Sequence, residues 1–182
     1  MKVLGIVGMP GSGKGEFSAI ASDMGIPVVV MGDVIRAEVQ RSGLPPIDSS
    51  MGIVARKLRA EHGMAAIAMV CIPVIESQNA ETVLIDGIRG DSEVKEFARY
   101  FPEFTLIAID SPLETRFNRL CDRARSDDIT DMDELTGRDE RESSFGLCAA
   151  MDLASVRIAN TGGLDEYREK VRSILMHETG VL

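Results

Sequence analysis

Short apolar runs recur along the chain, separated by longer segments in which apolar residues return every three or four positions. The runs are rich in Val, Ile and Leu and lack the strict apolar–polar alternation of half-exposed strands, so each is typical of a strand buried on both faces of a sheet. We predict five such strands, at residues 3–7, 27–31, 82–86, 104–110 and 156–159.

The segments between these runs have helical periodicity. They predict helices at residues 14–24, 33–41, 48–62, 64–77, 91–100 and 112–123, from about 138 onward, and at 164–177. Strands that alternate with helices form βαβ units with right-handed crossovers, and these build a parallel sheet. The predicted fold is therefore a three-layer α/β fold, a five-stranded parallel sheet with helices on both faces.

The chain of 182 residues fits one domain, 1–182, at roughly 150 residues per domain. Two of its connections are longer than a simple crossover needs, namely residues 32–77 and 124–140. We expect both segments to cover a site at the carboxyl ends of the strands, where ligands bind in open α/β sheets.

Composition excludes several partners. Twenty Lys and Arg residues against 29 Asp and Glu residues give a net charge of −9, which disfavours nucleic acid and anionic membranes as partners. The longest apolar stretch, 63–75, contains Pro73 and falls short of the about 20 residues that a membrane span needs. Three cysteines without CxxC spacing are predicted to be buried free thiols, and we expect a cytoplasmic protein. The pattern fixes no oligomeric state.

A glycine-rich loop follows the first strand and precedes the first helix, which is the context of a phosphate-binding P-loop. Successive backbone N–H groups and the helix N-terminus can surround an anionic phosphate there, and the lysine can reach the outer phosphates. The predicted ATP-binding residues of this loop are Gly8, Met9, Pro10, Gly11, Ser12, Gly13, Lys14 and Gly15.

Gly15 stands where most P-loops place a Ser or Thr that binds Mg²⁺. We therefore expect the metal to be held through water, phosphate oxygens and a carboxylate elsewhere, since Mg²⁺ keeps several waters. Asp86, at the end of the third strand, is the candidate carboxylate, and a turn residue is its structural alternative. ATP and Mg²⁺ are the expected cofactors.

The lysine–glycine pair that ends GMPGSGKG resembles the adenylate kinases and related nucleoside monophosphate kinases. The segment from Met31 to Arg36 is similar to the family's monophosphate-binding helix, which implies that Asp33 and Arg36 bind the acceptor. The Asp-Gly-Ile-Arg sequence ending at Arg89 resembles the family's Asp-Gly-Pro-Arg motif and implies a second acceptor arginine. Met31 replaces the family's threonine near adenine, so the resemblance does not fix the acceptor base.

The segment around Asn160 resembles the superfamily's adenine-side loop, with dephospho-CoA kinase character, and implies that Asn160 contacts ATP. By its motifs and element order, the chain looks most like an archaeal-type family of adenylate-kinase-related P-loop kinases. That family does not supply the substrate.

Arginines cluster around the predicted lid at 124–140. By their positions, the resemblance implies catalytic roles for Arg119 or Arg123 on one side and Arg138 on the other, while a solvated helix face is the alternative. The acidic stretch from Ser126 to Glu134 is interpreted as an outer face with Thr130 as a helix cap. No Cys or His ligand set accompanies it, which disfavours a zinc lid.

These observations predict transfer of the ATP γ-phosphoryl group to a small phosphate-bearing acceptor, with a nucleoside monophosphate favoured. Segment 32–77 would bind that acceptor. One alternative is a dephospho-CoA kinase-like enzyme, in which Asp33 activates a ribose hydroxyl. Another is an ATP-dependent regulatory binder with weak hydrolysis.

Overall fold

The structure, a computed structural model, describes residues 1–123 and 131–180. Its strands are β1 (Lys2–Val7), β2 (Val28–Val30), β3 (Thr82–Asp86), β4 (Phe104–Asp110) and β5 (Val156–Ala159). They form one parallel sheet in the order β2-β3-β1-β4-β5. The predicted fold class is confirmed.

Helices lie on both faces of the sheet. They are α1 (Lys14–Asp23), α2 (Met31–Arg41), α3 (Asp48–His62), α4 (Ala66–Glu76), α5 (Asp91–Tyr100), α6 (Leu113–Arg123), α7 (Met132–Ser144), α8 (Leu147–Asp152) and α9 (Leu164–Thr179).

Alternate residues of β1 enter two separate cores. Leu4 and Ile6 pack in one apolar cluster with Phe17 of α1 and residues of α9. Val3 and Val7 pack in the other, with residues of α2, α4, α5 and α8. Because both faces are covered, every position from Val3 to Val7 is buried, which explains why the strand reads as a continuous apolar run.

Segment 32–77 contains most of α2 and all of α3 and α4. Helix α4 continues through Pro73, and its axis is bent by 100° from that of α3. Within the described residues no single helix is long and apolar enough to span a membrane, although the bent α3–α4 pair passes the same test of length and composition.

Helix α7 begins at Met132, so the predicted start near residue 138 was wrong. The Asp131 carboxylate accepts a hydrogen bond of 2.7 Å from the Glu134 backbone N–H and caps the helix, with Asp133 and Glu134 in its first turn. These three acidic residues belong to a helix start, where negative charge is favoured. Residues 124–130 of the predicted lid, including the predicted cap Thr130, lie outside the described residues.

Two smaller expectations also need correction. The short helix α8 was not predicted, and only Cys71 is buried, because Cys121 and Cys148 are exposed.

Candidate functional site

The loop between β1 and α1 uses glycine where a side chain would collide. Gly13 has a φ of 112°, and a Cβ there would lie 2.6 Å from Asn160 Nδ2. A Cβ on Gly8 would lie 2.7 Å from the Ile109 carbonyl oxygen at the end of β4. The loop backbone therefore packs directly against neighbouring elements, and the free N–H groups of the first turn of α1 remain for an anion.

The Lys14 ammonium folds back over this loop. Its Nζ donates hydrogen bonds to the carbonyl oxygens of Gly8, at 2.5 Å, and Met9, at 3.1 Å. Burial lowers the pKa of Lys14 to about 8, although the carboxylates of Asp86 and Glu142 oppose the change. A bound polyphosphate would add negative charge beside this buried ammonium and favour its protonated form.

Three buried side chains hold the loop from outside. The amide of Asn160 donates to the Ser12 carbonyl oxygen at 2.8 Å, and the Tyr167 hydroxyl donates to that of Gly13 at 3.0 Å. The Arg116 guanidinium donates to the Pro10 carbonyl oxygen at 3.0 Å. Carbonyls held in this way keep the loop's N–H groups fixed, which lowers the cost of ordering them when an anion binds.

Beside the loop lies a cleft of about 780 Å³, here called the P-loop cleft. Arg119 lines it and donates to Asn160 Oδ1 at 2.9 Å and to Ser111 Oγ at 3.2 Å. Arg138 also lines it and makes no ion pair within the described residues. The side chain of Arg123 lies outside the described residues. The other lining residues are Pro10, Gly11, Ser12, Gly13, Lys14, Gly15, Glu16, Asp86, Leu120, Asn160, Gly162, Leu164 and Tyr167.

Asp86 lies at the end of β3 in this cleft and accepts a hydrogen bond of 2.9 Å from the Ser18 hydroxyl. Ser18 is one turn beyond Lys14 on α1. A Cβ on Gly15 would meet nothing within 4 Å, so the loop does not exclude the usual Ser or Thr by steric conflict.

The protein oxygen atoms at Asp86 suit Mg²⁺ only together with water and phosphate oxygens. Among the described residues no three His, Cys, Asp or Glu side chains converge into a metal site. One carboxylate, a hydroxyl, waters and phosphate oxygens are the oxygen ligands that Mg²⁺ takes when it binds with a nucleotide. The residues therefore fit a Mg²⁺ that arrives with ATP.

A second cavity, of about 500 Å³, lies beside segment 32–77 and is here called the insertion cavity. Gly87 lines it, and the preceding residue, Asp86, lines the P-loop cleft, so the two spaces adjoin at the end of β3. Its charged residues are Arg59, Arg89 and Glu93. Its apolar walls come from Val30, Met31, Ile35, Met51, Ala55, Ile67 and Phe145.

Glu93 organises the charged end of the insertion cavity. It is 3% exposed, and its carboxylate accepts hydrogen bonds from the Arg89 backbone N–H at 2.8 Å and from Arg59 Nη2 at 3.4 Å. Burial raises the pKa of Glu93, against the opposing effect of these donors. Arg59 Nε is buried and has no hydrogen-bond partner in the described residues.

Two predicted acceptor residues lie elsewhere. Asp33 and Arg36 form an exposed ion pair on α2, and neither lines the insertion cavity in the described residues. Their predicted contact with the acceptor stays a prediction.

Comparison with known proteins places the chain in a family. A UPF0200 protein of Methanoregula boonei is 53% identical to it over 96% of each chain, and one of Methanoculleus marisnigri is 55% identical over the same shares. The chain belongs to the UPF0200 family. An AAA-domain family model also matches residues 7–136, so this UPF0200 chain belongs to that domain family as well.

Solved structures show the same fold. The TT1252 protein of Thermus thermophilus superposes on the UPF0200 chain with a TM-score of 0.65 and 17% identity over 97% of each chain. Shikimate kinase of Acinetobacter baumannii, in complex with shikimate, gives 0.57 and 14% identity over 99% of this chain and 94% of that one. At such identities the likeness shows the fold, which is P-loop kinase-like. The adenylate kinase and dephospho-CoA kinase resemblances are not confirmed.

In this UPF0200 chain, sequence reasoning missed the lining residues Arg59, Glu93 and Tyr167, and also Ser18, which donates a hydrogen bond to Asp86. Arg59 and Glu93 sit in ordinary amphipathic helices, where a charged residue signals only a solvated face. The i+4 spacing from Lys14 was the one signal that could have pointed to Ser18.

Proposed function

We propose that the protein transfers the γ-phosphoryl group of Mg-ATP to a small phosphate-bearing acceptor, of which a nucleoside monophosphate is the favoured class. One observation carries this proposal: the P-loop cleft and the insertion cavity adjoin at Asp86 and Gly87. A donor nucleotide in the first space and an acceptor in the second would meet at the end of β3. Holding two reactants in this way is the main requirement of phosphoryl transfer.

On the donor side, the loop amides and Lys14 bind the phosphates. Asp86 would hold the waters of a Mg²⁺ that binds with ATP, and that metal would supply positive charge to the phosphates. Arg119 and Arg138 line the same cleft and supply positive charge to the transferred group. We therefore propose that ATP and Mg²⁺ bind in the P-loop cleft.

On the acceptor side, Arg59 and Arg89 offer forked donors for a phosphate. The apolar walls of the insertion cavity, Phe145 among them, fit the faces of a nucleobase. Two arginines together with apolar walls suit a nucleoside monophosphate, which carries a phosphate and an apolar ring, better than an uncharged sugar.

The dephospho-CoA alternative assigned the activation of a ribose hydroxyl to Asp33. In the described residues Asp33 pairs with Arg36 and does not line the insertion cavity. This contact gives the alternative no support.

The experiment is an acceptor panel of AMP, CMP, UMP, GMP, dTMP and dephospho-CoA, each incubated with Mg-ATP. We expect at least one compound to raise ADP formation well above basal hydrolysis, because a closed site excludes water as an acceptor. Mass analysis of the product locates the new phosphate on a phosphate or on a ribose hydroxyl.

Lys14→Ala is the control variant. It should lose most transfer while remaining folded, since a charge-assisted contact contributes about 1.5–3 kcal/mol to binding. If no compound on the panel raises turnover, the transfer proposal fails, and an ATP-dependent shift in a partner interaction would then support the regulatory binder.

A further inference from the structure

Helix α7 brings a carboxylate to Arg89, one of the two arginines that line the insertion cavity. Arg89 Nη1 donates to Glu142 Oε1 at 2.8 Å across a separation of 53 residues. The Glu142 side chain is 15% exposed, whereas that of Arg89 is 57% exposed. This contact is therefore tertiary and half-sheltered, unlike the exposed pairs within single helices such as Lys95–Asp91.

The rest of Arg89 is held independently of Glu142. Its backbone N–H donates to Glu93, which fixes the residue at the edge of the insertion cavity. Among the described residues, Glu142 is the one hydrogen-bond partner of the Arg89 guanidinium. The guanidinium can therefore exchange this carboxylate for another anion without losing its place.

Glu142 also acts on the P-loop. Its charge raises the pKa of Lys14, while the charges of Arg89 and Arg138 lower it, so all three side chains interact electrostatically with Lys14. Arg138 lies one turn before Glu142 on α7 and lines the P-loop cleft. The Glu142 carboxylate thus belongs to one group with three cationic side chains, those of Lys14, Arg89 and Arg138, and phosphate oxygens would be favoured by the same positive charges.

We propose that Glu142 is a specificity-determining residue whose carboxylate occupies the anion position of Arg89, so that an acceptor must displace it to bind. A phosphate can do so, because it offers more charge and more acceptor oxygens to a guanidinium than one carboxylate does. A neutral hydroxyl cannot. Glu142 thereby biases the site toward phosphorylated acceptors. That the displacing anion belongs to an acceptor rests on the proposed function, whereas the competition itself does not.

The direct test is the affinity of inorganic phosphate for the full chain whose P-loop cleft is saturated with a non-hydrolysable Mg-ATP analogue. Calorimetry on Glu142→Gln should show binding about two- to fivefold tighter than in the original protein, the factor that ion pairs of this exposure contribute. Glu140→Gln is the matched control, since Glu140 is exposed on the same helix and undergoes the same charge change. It should leave phosphate affinity unchanged.

Arg89→Ala tests whether the effect of Glu142→Gln on phosphate affinity depends on Arg89. It should weaken phosphate binding, and the double variant with Glu142→Gln should bind phosphate no more tightly than Arg89→Ala alone. Unchanged or weaker phosphate binding by Glu142→Gln, an equal gain in Glu140→Gln, or no measurable phosphate binding by either protein would each overturn the proposal.

Acceptor kinetics separate this inference from the proposed function. For an acceptor found active on the panel, Glu142→Gln should lower the acceptor KM, a gain that a purely structural role would not produce. If no acceptor is phosphorylated but the phosphate affinity shifts, the transfer proposal fails and the competition stands. If acceptors are phosphorylated and the affinity does not shift, only the role of Glu142 fails.

Discussion

Burial of the Lys14 ammonium lowers its pKa to about 8, and this gives a pH test of nucleotide binding at the residue scale. The charged form binds phosphate, so the affinity for Mg-ADP should fall as pH rises through about 8, by up to about tenfold per pH unit. Calorimetric titrations from neutral to alkaline pH measure it. Lys57→Ala, which removes an exposed lysine, should leave the profile unchanged. A flat profile in the original protein would contradict the account.

The same lowered pKa of Lys14 makes stability change with pH in the direction opposite to nucleotide affinity. Between about 8 and 10.5 the folded protein binds fewer protons at Lys14 than the unfolded chain does. The contribution of Lys14 to the free energy of unfolding therefore rises with pH across this window, while nucleotide affinity falls.

Ser18 offers a second test at this scale, because its hydroxyl holds the Asp86 carboxylate in place. Ser18→Ala should reduce the factor by which Mg²⁺ strengthens ADP binding, by about tenfold, as removal of a partner of a metal ligand typically does. Affinity without Mg²⁺ should change little. Ser22→Ala removes an exposed hydroxyl from the same helix and serves as the control. Equal losses with and without Mg²⁺ would mean that Ser18 supports only the loop.

At the scale of elements, one buried ion pair joins α7 to α6 and the P-loop. Arg116 is 4% exposed and makes a two-pronged contact with Asp139, at 3.0 and 2.5 Å, besides its bond to the Pro10 carbonyl. Asp139→Ala should lower the free energy of unfolding by about 3 kcal/mol, because it leaves a buried guanidinium unpaired. Denaturant unfolding measures this. Arg157→Ala breaks an exposed pair with Asp110 and should cost at most about 1 kcal/mol. Similar losses in both variants would show that α7 is not anchored through Arg116.

Segment 32–77 gives a kinetic test that separates the roles of two of its arginines, Arg59 and Arg36. Arg59 of α3 lines the insertion cavity, whereas Arg36 of α2 pairs with Asp33 outside it. Arg59→Ala should raise the acceptor KM by about ten- to a hundredfold without changing the ATP KM, the loss expected for a charge-assisted contact. Arg36→Ala should have a smaller effect. Equal or reversed effects would restore the prediction made from the Met31–Arg36 segment.

The elements that local pattern specifies were predictable. All five strands and the P-loop appear where continuous apolar runs and a glycine loop indicate them. The start of α7 was not predictable from the sequence. Asp131 caps the helix only in the folded chain, and in the sequence its acidic neighbours resemble a solvated loop. The hydrogen-bond partners of Arg59 and Arg89 could not be predicted either, because Glu93 and Glu142 contact them only through tertiary packing.

At the scale of the whole molecule, the parallel sheet brings both spaces to one edge. Strands β1 and β3 are hydrogen-bonded neighbours, with Ile6 opposite Asp86, so the P-loop after β1 and the Asp-Gly turn after β3 emerge side by side. Segment 32–77 follows β2, which pairs with the outer side of β3. This topology places the insertion cavity beside the P-loop cleft, which is the arrangement that the proposed transfer requires.

The central claim, that one space holds a donor nucleotide and the adjoining one an acceptor nucleotide, is tested most directly by the affinity of a bisubstrate compound. Such a compound joins adenosine to a second nucleoside through five phosphates, and its dissociation constant can be measured for each common base. The account predicts that at least one binds about a hundredfold or more tighter than ATP, as analogues that span both substrates do, and that Lys14→Ala and Arg59→Ala each weaken it. If every such compound binds no tighter than ATP, the two spaces do not form a donor and acceptor pair.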